Sequence, residues 1–311
     1  MEDISKLFGV RYPILQGGMA WIADYRLAAA VSNGGGLGLI AAGNADADFV
    51  RTQIEKARER TDKPFGVNVM LMNPHTEEIM RMLVREKVAL VTTGAGNPGK
   101  YMDALKGAGI LVCPVVASVA LAVRLARSGA DAIIAEGTEA GGHIGELTTM
   151  ALIPQVADAV DVPVIAAGGI ADGRGVAAAY MLGARGVQVG TAFLAAEECH
   201  ISRAYKEMIF RAKDTDSTVT GRSTGHPVRV LKNKMSKEIL ALERQGIDPD
   251  EFESRMAGTL RMAVVDGDVS GGSVMSGQIA GLVRRERPAG EIIETMFAEA
   301  KEIYDGKKKL F

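Results

Sequence analysis

Residues 162–191 read VPVIAAGGIADGRGVAAAYMLGARGVQVGT, and this stretch decides the fold. An apolar run at 164–167 ends in Gly168-Gly169, a helical segment follows at 174–182, and a second apolar run at 186–189 ends in Gly190-Thr191. Neither run alternates apolar with polar residues, as expected of strands buried on both faces of a parallel sheet. Parallel neighbours need a helical crossover, and the sequence supplies one. The two glycine turns follow successive strands, so both can offer backbone N–H groups to one anion at the rim where a barrel seats phosphate. Glycine lets the backbone approach the anion closely, and Thr191 adds a hydroxyl.

The same grammar extends in both directions. Strands are expected at 13–16, 37–40, 65–71, 90–93, 110–116, 132–136, 164–167 and 186–189. Helices are expected between them at 25–32, 47–60, 77–86, 101–106, 119–128, 150–160 and 174–182. Eight buried parallel strands separated by helices predict an α/β fold, a (β/α)8 TIM barrel, with an open doubly wound sheet as the structural rival. After Thr191 the grammar changes, and helices at 235–245 and 250–262 predict a C-terminal, mainly helical cap. A last helix over 291–304 could return to the barrel in the eighth helical place. The expected organisation is a barrel over 1–200, a cap and substrate region over 201–290, and a C-terminal segment, 291–311, packing back on the barrel. The basic tail at 307–309 reads as a solvated end.

The chain's 311 residues suit one barrel of about 250 residues with an appendage. Its 36 basic and 38 acidic residues nearly cancel, so no global field favours nucleic acid or an anionic membrane. Glu2 and Asp3 replace the basic start of a secretory signal, and the uncharged stretch at 107–123 is broken by Gly109, Pro114 and Ser118. A cytoplasmic protein is expected. Cys113 and Cys199 lack disulfide or metal spacing and read as free thiols. No histidine pair has helical ligand spacing, so no metal site is expected. No Gly-x-Ser-x-Gly elbow follows a strand, and the glycines at 34–38 precede a strand and read as a helix stop.

Function in a barrel gathers on the loops after the strands. One of these, residues 137–145, carries His143 among glycines. An imidazole there can project into the mouth and exchange a proton near neutrality, or it can serve the turn alone. His75, His200 and His226 read as structural or solvated.

Taken together, Gln16-Gly17-Gly18-Met19-Ala20-Trp21, Gly35-Gly36-Leu37-Gly38, Lys63-Pro64-Phe65-Gly66-Val67-Asn68, Thr93-Gly94-Ala95-Gly96-Asn97-Pro98, the loop 139–145 and Ala166-Ala167-Gly168-Gly169-Ile170 carry a resemblance. The chain resembles the nitronate monooxygenase superfamily of flavin barrels, and within it the flavin-dependent enoyl-acyl-carrier-protein reductase branch. Gly225-His226-Pro227, Asp266-Gly267-Asp268 and Gly277-Gln278 extend the likeness into the cap.

The resemblance implies FMN as cofactor and NADH or NADPH as co-substrate. It implies that Gly18, Met19 and Ala20 lie along the flavin ring, with Asn68 and Glu136 making polar contacts. Gly168 and Gly169, with Gln188, Val189, Gly190 and Thr191, would hold the phosphate and ribityl chain, and Met275 and Gln278 would close from the cap. His143 would polarise a thioester carbonyl or deliver a proton. The implied partner is an acyl carrier protein bearing the enoyl substrate, and the implied assembly is a homodimer. An acidic carrier needs positive charge near the mouth, and Lys206, Arg211, Lys213, Arg222, Arg229, Lys232, Lys234 and Lys237 form a candidate stretch, or an ordinary solvated face. Two other readings stay open, a nitronate monooxygenase oxidising alkyl nitronates with O2 and a flavin-binding protein without turnover.

Overall fold

The structure is a computed structural model that describes residues 4–307. Residues 308 and 309 of the basic tail lie outside the described residues. The chain begins with α1 (Ile4–Phe8), then alternates β1 (Ile14–Gln16), α2 (Tyr25–Asn33), β2 (Gly38–Ala41), α3 (Ala47–Arg58), β3 (Phe65–Met70), α4 (Thr76–Glu86), β4 (Leu90–Gly94), α5 (Met102–Gly107), β5 (Leu111–Val116), α6 (Val119–Arg127) and β6 (Ile133–Glu136). It continues through a two-residue strand β7 (Gly142–His143), α7 (Thr149–Ala159), β8 (Val164–Ala167), α8 (Gly173–Met181) and β9 (Gly186–Val189).

Eight of these strands pair in parallel in the order β1-β9-β8-β6-β5-β4-β3-β2. A parallel bridge between Leu15 and Leu37 joins the two ends, with Gln16 N–H donating to Leu37 O and Leu37 N–H to Ile14 O. The eight strands expected from the sequence are the eight of a (β/α)8 barrel. Strand periodicity divides its side chains. Ile14, Val67, Val91, Val112, Ile133, Val164 and Val187 face the helices, whereas Leu15, Leu39, Leu90, Cys113, Ile134 and Ile165 fill the interior. Ile4 and Phe8 of α1 join the interior cluster. The interior is a packed core and not a pore.

The glycines at 34–38 stop α2 and let it lie on the barrel. A β-carbon at Gly38 would fall 1.9 Å from the Ala28 carbonyl oxygen. Gly38→Ala must therefore push α2 off β2, and thermal unfolding should show a loss of about 1–3 kcal/mol. An unchanged melting temperature would mean that the helix steps aside freely.

After β9 a 3₁₀ turn (Thr191–Ala195) leads to α9 (Arg203–Arg211) and a hairpin, β10 (Ser217–Thr220) and β11 (Val228–Leu231). Then come α10 (Lys234–Arg244), α11 (Pro249–Met256), α12 (Thr259–Arg261), a π-helical turn (Met262–Asp266), a 3₁₀ turn (Gln278–Leu282) and α13 (Ala289–Lys307). The cap is mainly helical as expected, with two departures. The single helix expected at 250–262 breaks at Gly258, whose φ of +75° ends one helix before the next begins. The hairpin was not anticipated, and β7 pairs with it as a third strand. α13 packs against α8 and α2, where Gly173 and Gly34 permit close approach.

Candidate active site

Polar residues enter the barrel interior only toward the C-terminal ends of the strands, one layer above the leucines and isoleucines. Asn68 and Thr92 are register partners, and Asn68 Nδ2 donates to Thr92 Oγ1 at 2.9 Å. Glu136 pairs in register with Ala167, and Ala167 with Gln188. Gln188 Oε1 is buried without a hydrogen-bond partner among the described residues. A buried orphan acceptor is costly in a packed interior, and such atoms concentrate at functional sites. Glu136 likewise has no hydrogen bond or ion pair there, and burial pushes its carboxyl pKa up to about 7.

The folded chain therefore keeps a proton on Glu136 up to about pH 7, whereas the unfolded chain releases it near 4.5. The carboxyl does not penalise the fold at acid pH, and it costs up to roughly 3 kcal/mol once pH has risen past 7. In the protein without bound ligand, Glu136→Gln should melt above the wild type at pH 8 and level with it at pH 4.5. Parallel melting curves across that range would mean that the carboxyl is solvated.

The turns around this layer interlock. Gly17 N–H donates to Val189 O at 2.8 Å. A β-carbon at Gly18 would overlap Asn68, and one at Gly190 would lie 3.6 Å from Met19 Sδ. Ala20 lies against the loop after β2, 3.4 Å from a β-carbon built at Gly43. Gly168 and Gly169 have φ of +88° and +75°, and a β-carbon at Gly168 would fall 2.7 Å from Gly137 O, at the base of the His143 loop. Thr149 ties the same two loops together. Its single hydroxyl proton lies between Gly168 O and the Glu139 carboxylate, each 2.9 Å from Oγ1, and its N–H donates to the same carboxylate. Sequence reasoning passed over Thr149 and gave Glu139 no role beyond its place in the loop motif, yet the two join the turns through this contact.

His143 does not sit in a free loop. It forms β7 with Gly142, and the register pairs it with Val228 and Gly142 with Arg229. The cap hairpin thus fixes the backbone that carries the imidazole. His143 is exposed at the rim, yet desolvation by the crowding protein lowers its pKa below the ordinary imidazole value. Repulsion from His226 acts the same way, and Glu253 opposes it. His226, expected to be structural or solvated, is thus close enough to His143 to alter its charge.

A second cap segment crosses the site. Met275 bridges to Val230, its carbonyl accepts from Tyr205 Oη at 2.7 Å, and its sulfur lies 3.7 Å from a β-carbon built at Gly142. Gly277 N–H donates to Thr191 Oγ1 at 2.9 Å, and Gln278 N–H to Glu139 O at 2.9 Å. The Gln278 side chain is exposed. Among the residues singled out by sequence, Gly18, Met19, Asn68, Gly168, Gly190, Thr191 and Met275 meet one another directly or through the His143 loop.

Trp21 is unusual at this rim. Its φ is +65°, a left-handed conformation that costs a bulky residue on the order of 1–3 kcal/mol. The turn is held by Met19 O, which accepts from both Ile22 N–H and Ala23 N–H, and by the burial of those two residues.

Two residues of the cap's basic stretch are withdrawn from the surface. Lys206 is buried, donating to Ala196 O and pairing with Glu286. Arg229 is also buried and donates to Thr138 O and Ser217 Oγ. Both side chains are long enough to reach buried acceptors, so their charge serves the fold. Arg211, Lys213, Arg222, Lys232, Lys234 and Lys237 remain exposed. Among the described residues no cluster of three metal-ligating side chains occurs, and no helix is long and apolar enough to cross a membrane.

The nitronate monooxygenase family profile matches residues 2–88 and 76–299. The chain belongs to the nitronate monooxygenase family. FabK from Thermotoga maritima superposes with a TM-score of 0.97 and 47% identity over the whole of both chains. The curated (3aS,4S,5R,7aS)-5-hydroxy-7a-methyl-1-oxo-octahydro-1H-indene-4-carboxyl-CoA dehydrogenase of Rhodococcus jostii is 38% identical over 78% of this chain and 68% of its own. A probable nitronate monooxygenase of Staphylococcus aureus is 33% identical over 98% of both. Members of this family are flavin enzymes, and this chain is a flavin-dependent oxidoreductase.

The residues present fit a flavin nucleotide. The Gly168 and Gly190 turns leave side-chain-free backbone at the ends of adjacent strands, and the orphaned Gln188 Oε1 is an acceptor suited to an imide or hydroxyl donor.

Proposed function

We propose that this chain reduces enoyl thioesters carried by an acyl carrier protein, drawing hydride from NADH or NADPH in a ping-pong cycle. The observation that carries this reading is the full-length likeness to FabK, an enoyl-acyl-carrier-protein reductase II, at higher identity than the likeness to the staphylococcal nitronate monooxygenase. The Rhodococcus relative adds support, because its name makes it a redox enzyme of a CoA thioester.

A bound FMN supplies the hydride chemistry. In this reading Gly168, Gly169, Gln188, Val189, Gly190 and Thr191 hold its phosphate and ribityl chain. Gly18, Met19 and Ala20 line its ring, Asn68 and Glu136 contact its polar edge, and Met275 and Gln278 cover it from the cap. The protein must also bring the alkene of the substrate to the ring and polarise the thioester carbonyl. That falls to His143. Its lowered pKa makes the imidazole neutral at pH 7, so it offers an N–H to the carbonyl oxygen. Hydride adds at the β carbon, and the α carbon takes its proton from water that the neutral imidazole orients.

A neutral imidazole is equally suited to removing a proton. That favours a second reading, a nitronate monooxygenase in which His143 is the base. Anaerobic half-reactions separate the two. Reduced nicotinamide dinucleotide should bleach the flavin within the turnover time, and crotonyl thioester should restore its colour. Bleaching by alkyl nitronates alone would overturn the reductase reading.

A further inference from the structure

Trp21 is the one tryptophan of the chain, and three features set it apart from a buried aromatic. Its backbone is held in a left-handed conformation by buried neighbours, the residue is 56% exposed, and it stands two residues beyond Met19. A strained backbone that presents a large apolar side chain to water lowers stability twice, and such residues gather at ligand sites. The cap supplies its neighbour. Arg261 lies over the indole at 6.0 Å from the ring centroid, at the end of α12. The π-helical turn that follows is anchored by Ser202, whose N–H donates to Val264 O and whose Oγ donates to Ala263 O. That anchoring leaves Met262 and Val265 exposed beside Arg261. Single π turns inside helices recur at functional sites. Arg261 is held in place by Asp266 at 3.0 Å, a half-exposed pair that a ligand anion can displace at little cost.

An indole with a guanidinium above one face, held only by a half-exposed carboxylate, can recognise a flat heterocycle on its other face and an anion at the guanidinium. We propose that Trp21 and Arg261 form a subsite for the adenosine-diphosphate end of a co-substrate, the adenine stacking on the indole and the pyrophosphate meeting the guanidinium. Two carriers of that group suit this enzyme, a nicotinamide dinucleotide and a CoA thioester. The assignment of the co-substrates rests on the reductase reading, whereas the recognition of adenosine diphosphate does not.

Because Trp21 is the sole tryptophan, its fluorescence reports the subsite directly in the flavin-loaded protein. ADP-ribose should quench it saturably, nicotinamide mononucleotide should not, and Arg261→Ala should raise the ADP-ribose Kd on the order of tenfold. The two sources are then separated by half-reactions of Trp21→Ala. Preference for NADH over reduced nicotinamide mononucleotide should fall about tenfold if the dinucleotide uses the subsite. Preference for crotonyl-CoA over crotonyl-pantetheine should fall instead if CoA does. Absence of quenching by millimolar ADP-ribose, or equal losses for the long and short member of both pairs, overturns the subsite. Quenching without any reduction of the flavin by either NADH or NADPH leaves the subsite standing and overturns the reductase reading.

Discussion

Gly168→Ala should leave a protein with little bound flavin and a measurably weakened fold. Gly168 has φ of +88°, so any side chain there is strained, and its β-carbon would stand 2.7 Å from Gly137 O and 3.2 Å from Ala140 N. The new methyl group runs into the backbone of the 137–140 loop, and Thr149 Oγ1 holds Gly168 O in place. The turn must therefore separate from the His143 loop, and the backbone N–H groups proposed to meet the phosphate move with it. Flavin retained after purification, read from the ratio of visible to ultraviolet absorbance, should drop more than tenfold. Loss of stability should reach about 1–3 kcal/mol in flavin-free protein. Gly169→Ala is the control. Its φ of +75° carries the same backbone strain, but its β-carbon would touch only the Glu139 side chain, at an ordinary 3.4 Å. It should lose less stability and keep more flavin. Equal behaviour of the two variants would place the cost in backbone strain alone. Full flavin content in both would remove this turn from the cofactor site.

The barrel and its two late glycine turns were legible because the information is local. Residues 164–169 and 186–191 each spell an apolar run and the turn that ends it, and nothing distant contributes. The hairpin was legible in part. Residues 217–220 and 228–231 are rich in Val and Thr, with Gly221, Gly225 and Pro227 between them, a hairpin signature hidden by the helical segments around it. The pairing of His143 could not be read. Gly142 has φ of +78° and glycine is a poor strand former, so β7 exists only because the far-off hairpin pairs with it. The burial of Lys206 and Arg229 was equally hidden, since a charged side chain in sequence reads as solvated until its acceptors, Ala196 O and Thr138 O, are brought to it by the fold. Trp21 defies the sequence altogether, because no propensity places a tryptophan at positive φ.

His143→Ala should slow reoxidation of the flavin by enoyl thioester by about 10²- to 10⁴-fold while the flavin stays bound. The hairpin holds residue 143 through backbone pairing, so removing the imidazole leaves the loop in place and confines the defect to the reaction that uses the side chain. The pH profile of the same half-reaction identifies the titrating group. Desolvation first, and repulsion from His226 second, hold the imidazole pKa down, while Glu253 pulls it up. In wild type the inflection should therefore lie on the acid side of about 6.5, where an ordinary imidazole titrates. His226→Asn removes a repulsion that disfavours the charged form, and the inflection should move to higher pH. Glu253→Gln removes an attraction that favours it, and the inflection should move lower. Opposite displacements from two exposed side chains on different cap elements have no source other than a shared titrating neighbour, whereas an inflection that ignores both belongs to another group. The direction of the rate change decides the chemistry. A rate that climbs as pH falls through the inflection makes the imidazolium a proton donor to the α carbon, and a rate that drops there makes the neutral imidazole the working form.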